Sequence, residues 1–520
     1  MQLRHQSRNG AVNALFVLAI AAIVALAVLG ALLIDMGNSG SQAAGEHELF
    51  VFCAAGIRPP VEAIVADYQR EYGVSIQLQY GGSNTLLSQL EVGKIGDLYV
   101  TADDSYIALA REKGLVREAL PLAMQRPVIT VKRGNPKSIE GVDDLLREDV
   151  RLAVANPDQA AVGKVTRKLL RQSGHWDRLE AHVIDNGVFK PTVPEVASDV
   201  KIGSVDAAII WDSTAHQHDD LEVIRTPELD GGLSHVMIGL LTSTKQPAAA
   251  LRFARYIAAR DKGLQTFAQK GFETGDGDSW SESPELTFFC GSVNRQAVES
   301  TIQEFEQREG VRINTVYNGC GILTAQMQAI AGGQQGGFPD TYMACDLYYL
   351  QTVEEMFQDA VNVSDTELVI AVPAGNPKNL QSLEDLTADG LTVSLGQPDQ
   401  CTIGVLTRQL LESEGVYEAV MQNVVTETPS SAMLVPTVAT GSVDATIAFK
   451  TDTLAERDKL EVIPINSAAA KAIQPFSIAR SSDHKQLARR FYEAIAASRD
   501  KFESAGFHWR LEDRAPQESP

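Results

Sequence analysis

The stretch ELFVFCAAGIRPPVEAIVADYQREYGVSIQLQYGGSNT, residues 48–85, decides how this chain is read. Leu49, Phe50, Val51 and Phe52 are strand formers, and Cys53-Ala54-Ala55-Gly56 is a run of small residues. Val61, Ile64, Val65 and Tyr68 recur at helical spacing. Residues 74–80 alternate apolar and polar, and Gly81-Gly82-Ser83-Asn84 breaks the alternation. The order is therefore strand, tight turn, helix, strand, glycine-rich loop. Small residues at a strand end let backbone amides approach a ligand, and a helix N-terminus adds donors and a partial positive charge. Two such loops on neighbouring parallel strands make an anion cradle at the carboxyl edge of a sheet.

The same stretch returns at residues 285–322 as ELTFFCGSVNRQAVESTIQEFEQREGVRINTVYNGCGI. More pairs follow in the same order. Gly134-Asn135-Pro136-Lys137 matches Gly375-Asn376-Pro377-Lys378, and Pro157-Asp158-Gln159 matches Pro398-Asp399-Gln400. Gly203-Ser204-Val205-Asp206-Ala207 matches Gly441-Ser442-Val443-Asp444-Ala445, and Gly271-Phe272 matches Gly506-Phe507. A period of about 240 residues is too long for a solenoid and means a tandem of whole domains. The units run over residues 47–275 and 285–510, joined by a linker at 276–284 and followed by a tail at 511–520. Within each unit strands alternate with helical segments, including a strand at 182–184 and one long helix over 247–270. Such alternation predicts α/β lobes with mostly parallel sheets, paired around a cleft.

The chain has 520 residues and a net charge of −22, which argues against nucleic acid and anionic membrane surfaces as partners. An anion site must then rest on local donors. Residues 11–34 are an uncharged apolar run whose only amide is Asn13. As a helix they span ~36 Å, enough for the ~30 Å hydrocarbon core. Arg4 and Arg8 precede the run. The expectation is a cytoplasmic segment at 1–10, a transmembrane anchor at 11–34 and a linker at 35–46, with both units extracytoplasmic. A cleaved signal peptide is the alternative, but the run exceeds the usual h-region. The five cysteines, Cys53, Cys290, Cys320, Cys345 and Cys401, leave at least one thiol unpaired.

No Gly-x-Ser-x-Gly, Walker A loop or His-Glu-x-x-His occurs, and the nine histidines fall outside the candidate loops. The expectation is a binding protein without a cofactor, not an enzyme. A sensor or scaffold that reports an anion or metal is the alternative.

VFCAAG (51–56), YGGSNTLLSQLEVGKIGDLYVTADD (80–104), RGNPK (133–137), RLAVANPDQAAVGKVTRKLL (151–170), GSVDAAIIW (203–211) and FAQKGF (267–272) carry a resemblance that spans nearly the whole first unit. The unit resembles the molybdate-binding proteins of ABC transporters, of the type II periplasmic binding protein fold. The resemblance implies a tandem pair of two-lobed units, an oxyanion ligand such as molybdate or tungstate, and permease subunits as partners. It implies neutral donors at Gly56, Ser83, Val162, Val193 and Trp211, with Asn84 adjacent. Gly56 lacks the family's hydroxyl, and Trp211 stands where the family has a tyrosine. In the second unit the positions fall on Val293 with Ser292 before it, Cys320, Ile403, Ser431 and Phe449, a poorer oxyanion set. Cys290, Cys320, Cys345 and Cys401 all sit on the loops that the fold brings to that cleft. One or two disulfides, or buried small residues, are the preferred reading for them, and a soft-ligand site for a metal or a thiophilic oxyanion is the sharper one.

Overall fold

A computed structural model describes residues 48–511. The expected cytoplasmic segment (1–10), anchor (11–34) and linker (35–46) lie outside the described residues, as does all of the tail after Leu511. Among the described residues no helix is long and apolar enough to cross a membrane.

The opening stretch forms strand Glu48–Ala54, a short 3-10 turn, helix Arg58–Tyr72 and strand Ser75–Gly81. Prolines in its first turn suit the helix start, where a missing N–H costs nothing. Gly73, at φ 68°, ends it in the left-handed conformation that glycine adopts freely. Its buried face is Val61, Ile64, Val65 and Tyr68. The two strands pair in parallel, Leu49 opposite Ile76 and Cys53 opposite Tyr80.

Each unit has two lobes. In the first unit, strands Ser75–Gly81, Glu48–Ala54, Leu98–Thr101, Ser234–Leu241 and Val116–Gln125 lie side by side in that order in one lobe. The other lobe holds Gly187–Lys190, Leu152–Ala155, Ala207–Trp211, Pro127–Lys132 and Leu221–Ile224. The sheets are mixed rather than mostly parallel. Ser234–Leu241 runs antiparallel to both neighbours, and Pro127–Lys132 does the same in the second lobe. The reason is topological: the chain crosses between lobes twice, and each crossing reverses a strand.

Two local expectations change. His182, Val183 and Ile184 belong to helix Trp176–Asn186, and the strand follows at Gly187–Lys190. Trp176, Leu179 and Val183 are buried at helical spacing, and a three-residue apolar run cannot reveal that period by itself. The helix expected over 247–270 is two, Pro247–Ile257 and Gly263–Gln269. The reversal between them presses Gly263 so closely on Ile257 that a Cβ there would stand 2.2 Å from its carbonyl oxygen.

The second unit repeats this plan with one difference. Strand Phe357–Pro373 runs unbroken through the lobe crossing and joins both lobes in one ten-stranded sheet. At the crossing it pairs with the returning strand, Asp365 opposite Ile473, Thr366 opposite Ala472 and Glu367 opposite Lys471. In the first unit the pairing stops at Gln125 opposite Ser234, and Arg126 stands between two separate strands.

The units touch through their first lobes. Helix Pro247–Ile257 packs on helix Arg295–Glu309, which also meets Lys485–Ala496. Glu309 is only 1% exposed and holds three parts together. Its Oε1 accepts from Arg490 Nε at 2.7 Å and its Oε2 from Arg255 Nη1 at 3.0 Å. Burial works against the Glu309 carboxylate, yet Arg490 and Arg255 hold its titration below the ordinary carboxylate value. Residues 276–284 are packed rather than free. Asp278 accepts the Gln486 and Leu487 amides at 2.8 and 2.9 Å. Trp280 stacks edge-on against Tyr256, 5.0 Å between ring centres.

Candidate functional site: the two interlobe clefts

The first cleft is closed. Asn84, at the start of helix Ser83–Gly93, reaches across the lobes. Its backbone N–H donates to Gln159 O at 3.1 Å and its side chain to Asp158 O at 2.8 Å. Lys164 Nζ crosses in the other direction to Ser105 Oγ at 2.9 Å. Gly82 makes the approach possible: a Cβ there would lie 2.3 Å from Gln159 O.

A cavity of about 10 Å³ remains between the lobes, lined by Gly56, Ser83, Ala102, Ala161, Val193 and Trp211 among others. That is room for about one water. No charged side chain lines it. Of the expected residues, Gly56, Ser83, Val193 and Trp211 meet here. Asn84 serves the lobe contact, and Val162 is buried behind Ala160 and Ala161, which take its place on the wall.

The donors follow from local structure. Ser83 Oγ accepts the Ala102 amide at 3.3 Å, and Tyr99 Oη donates to Ser83 O at 2.5 Å, which fixes the loop. Helices Ala161–Gln172 and Val193–Ile202 both begin at the cavity, where first-turn amides lack helical partners. Trp211 ends its strand fully buried, and its indole N–H has no hydrogen-bond partner. Thr214, one turn further on, is also buried with its hydroxyl unpartnered. Sequence reasoning missed it. A Cβ at Gly56 would lie 3.8 Å from Thr214 Oγ1 and 3.8 Å from Trp211 Cδ1. A hydroxyl of the opposite lobe thus lies near position 56, behind the residues that line the cavity. The available signal was a threonine three residues past the aromatic, on a helix start.

The crossing is tied to the cavity wall. Ser213 Oγ donates to Gln125 Oε1 at 2.7 Å, and Gln125 Nε2 donates to Ala102 O at 2.9 Å.

The second cleft is also closed. Tyr349 Oη donates across to Pro398 O at 2.8 Å, and a Cβ at Gly319 would meet Gln400 O at 2.5 Å. Its lining differs in kind. Val293 puts a side chain where Gly56 has none. Ile403, like Val162, is fully buried, and Phe449 ends its strand fully buried without a donor. Ser292 is half-buried, while Ser431 is buried beside Asp452, the counterpart of Thr214. Asp452 Oδ2 is cut off from solvent with no partner. Burial pushes this carboxyl up to about 7, and Ser431 offsets only part of the effect.

All five cysteines are buried free thiols: for the four of the second unit the expected disulfides are absent and the other expectation, buried small residues, is met. Among the described residues no group of three or more His, Cys, Asp or Glu side chains is placed to hold a metal ion. The four cysteines of the second unit do not converge. Cys320 and Cys345 share a hydrogen bond with sulfurs 2.9 Å apart. Cys290 turns to Gly291 O at 3.7 Å, and Cys401 to Gln397 O and Thr428 O, both at 3.5 Å.

Residues 49–273 and again 286–508 match the family of bacterial extracellular solute-binding proteins. The chain belongs to that family, and carries its domain twice. A putative binding protein of Haemophilus influenzae is 26% identical over 226 residues, which is 43% of this chain and 90% of that protein. The molybdate-binding protein ModA of Mycobacterium tuberculosis H37Rv is 27% identical over 232 residues, 44% of this chain and 85% of the relative. Among solved structures, the periplasmic molybdate-binding protein of Azotobacter vinelandii overlays with a TM-score of 0.38 at 16% identity, covering 44% of this chain and 99% of that one. These relatives are named as binding proteins, not as enzymes.

Proposed function

We propose that the first cleft binds a tetrahedral oxyanion of the molybdate or tungstate kind, and that the chain presents it to an ABC permease. The observation that carries this reading is the buried, unpartnered Trp211 Nε1 on the wall of a cavity without a charged side chain, with the unpartnered Thr214 hydroxyl near Gly56 behind it. Neutral dipoles held out of water solvate a buried anion while adding no countercharge. Ser83 and the first-turn amides at Ala161 and Val193 complete the shell. Lobe opening admits the anion, and a closure less tight than the present one, whose cavity has room for about one water, removes it from bulk water. The molybdate-binding relative supports the choice of ligand. The apolar run at 11–34 holds the chain to the membrane, with both units on the extracytoplasmic side. Calorimetry of the whole chain against molybdate, tungstate, sulfate and phosphate tests the reading. Binding of molybdate or tungstate that is weakened by T214V and W211F is expected. No heat with any of the four anions would sink it.

The second unit is a diverged cleft. A buried dianion facing Asp452, without the hydroxyl at 83 or the indole at 211, forfeits about 1.5–3 kcal/mol for each missing charged hydrogen bond. It takes a ligand of another class or none.

A further inference from the structure

Cys320 and Cys345 stand where the first cleft has Ser83 and Ala102, and the amide contact is kept: Cys345 N donates to Cys320 Sγ at 3.1 Å. Gly291 stands where the first unit has Ala54. A Cβ at 291 would lie 2.2 Å from Cys345 Sγ and 2.8 Å from Cys320 Sγ. The missing methyl is therefore the space the sulfur pair occupies. Around the pair, the Thr402 and Tyr342 hydroxyls are buried and face the Cys320 sulfur.

We propose that Cys320 and Cys345 form a two-thiol site for a neutral, trivalent thiophilic oxo-acid of the arsenous type. Each thiol forms one sulfur–arsenic bond, and its proton leaves with one hydroxyl as water: As(OH)3 + 2 RSH → (RS)2AsOH + 2 H2O. Nothing is oxidised or reduced. A linear two-coordinate cation holds two sulfurs on opposite sides of the metal, whereas a pyramidal trivalent centre holds them side by side, as here. A third thiolate is not offered, because Cys290 and Cys401 turn away. The remaining hydroxyl meets the Thr402 and Tyr342 hydroxyls. A neutral acid also avoids the conflict between a dianion and Asp452. The thiols are not equivalent. Burial alone would raise Cys320, but hydrogen bonding from the Cys345 thiol and amide outweighs it and lowers Cys320. The same contact, with burial, raises Cys345.

The test uses the full chain, reduced with a phosphine, freed of it under nitrogen and dialysed against sodium arsenite. Arsenic is counted by elemental analysis, and sulfur–arsenic bonds are read by near-ultraviolet absorbance. One arsenic per chain is expected, lost in C320S and in C345S and kept in C53S, C290S and C401S. G291A retains every cysteine and is expected to lose the arsenic too, so the result does not depend on how the serine variants fold. Three results would overturn the proposal: no arsenic on the folded, reduced chain; binding that survives both C320S and C345S; or a Cys320–Cys345 disulfide that the phosphine does not open. Failure of the first cleft to take molybdate leaves this count unchanged.

Discussion

The two clefts share a backbone and differ in what faces inward. Gly82 and Gly319 both press against a carbonyl of the opposite lobe, so both loops are cut for closure. Inside, Gly56, Ser83, Trp211 and Thr214 become Val293, Cys320, Phe449 and Asp452. Hydroxyl and indole donors give way to a methyl-bearing chain, a thiol, a plain ring and a carboxyl. The fold keeps the jaws and lets the lining drift, because closure depends on backbone contacts and selectivity on side chains.

Separating the units gives the largest effect. Removing one partner of a buried ion pair costs ~3–5 kcal/mol, and E309A strands two arginines at once. Calorimetric melting is expected to split into two transitions, each assignable to one cleft by which ligand shifts it. The intact triad also has a pH signature. The Glu309 carboxyl is lowered in the fold, so its contribution is present above the unfolded carboxylate value and lost as pH falls through the folded one. Acid unfolding of E309Q should lack that component.

G82A comes next. Its Cβ would strike Gln159 O, so closure of the first cleft fails, and oxyanion affinity is expected to drop by ~3 kcal/mol, about a hundredfold. G319A should leave that affinity unchanged. If both variants behave alike, the clefts are coupled and the comparison breaks. T214V is smaller, ~1.5–3 kcal/mol of anion binding, as for one charged hydrogen bond. D452T, the reverse exchange, acts on stability. With its folded value raised to about 7, Asp452 holds a proton that the unfolded chain releases lower, so stability falls as pH rises through that window. Denaturant titrations of D452T should lose that slope. Smallest is G56S. A Cβ fits there in ordinary contact, so only the added hydroxyl acts, and oxyanion affinity should rise by less than ~1 kcal/mol.

The duplication, the strand–helix order and the loops at Gly56 and Ser83 were legible because each is a local pattern. Thr214 and Asp452 were not, because they reach the cleft only after a helical turn. The fit of Gly291 to the sulfur pair joins three separate segments and leaves no periodic trace. Glu309, Arg255 and Arg490 read in sequence as ordinary charges on amphipathic helices, and only the packing of one unit on the other buries them. Asp278 and Trp280 looked like linker composition, yet they are anchors.

Strand Phe357–Pro373 sets a clock as well as a shape. To open, the first unit turns about Arg126, where no ladder stands in the way. The second carries its ladder one pair further, Glu367 with Lys471 at the place of Arg126, and must break that pair as well. Its opening is therefore expected to be slower at equal ligand affinity. The Glu367 amide hydrogen should exchange more slowly than that of Arg126, and whatever the second cleft holds should stay there longer.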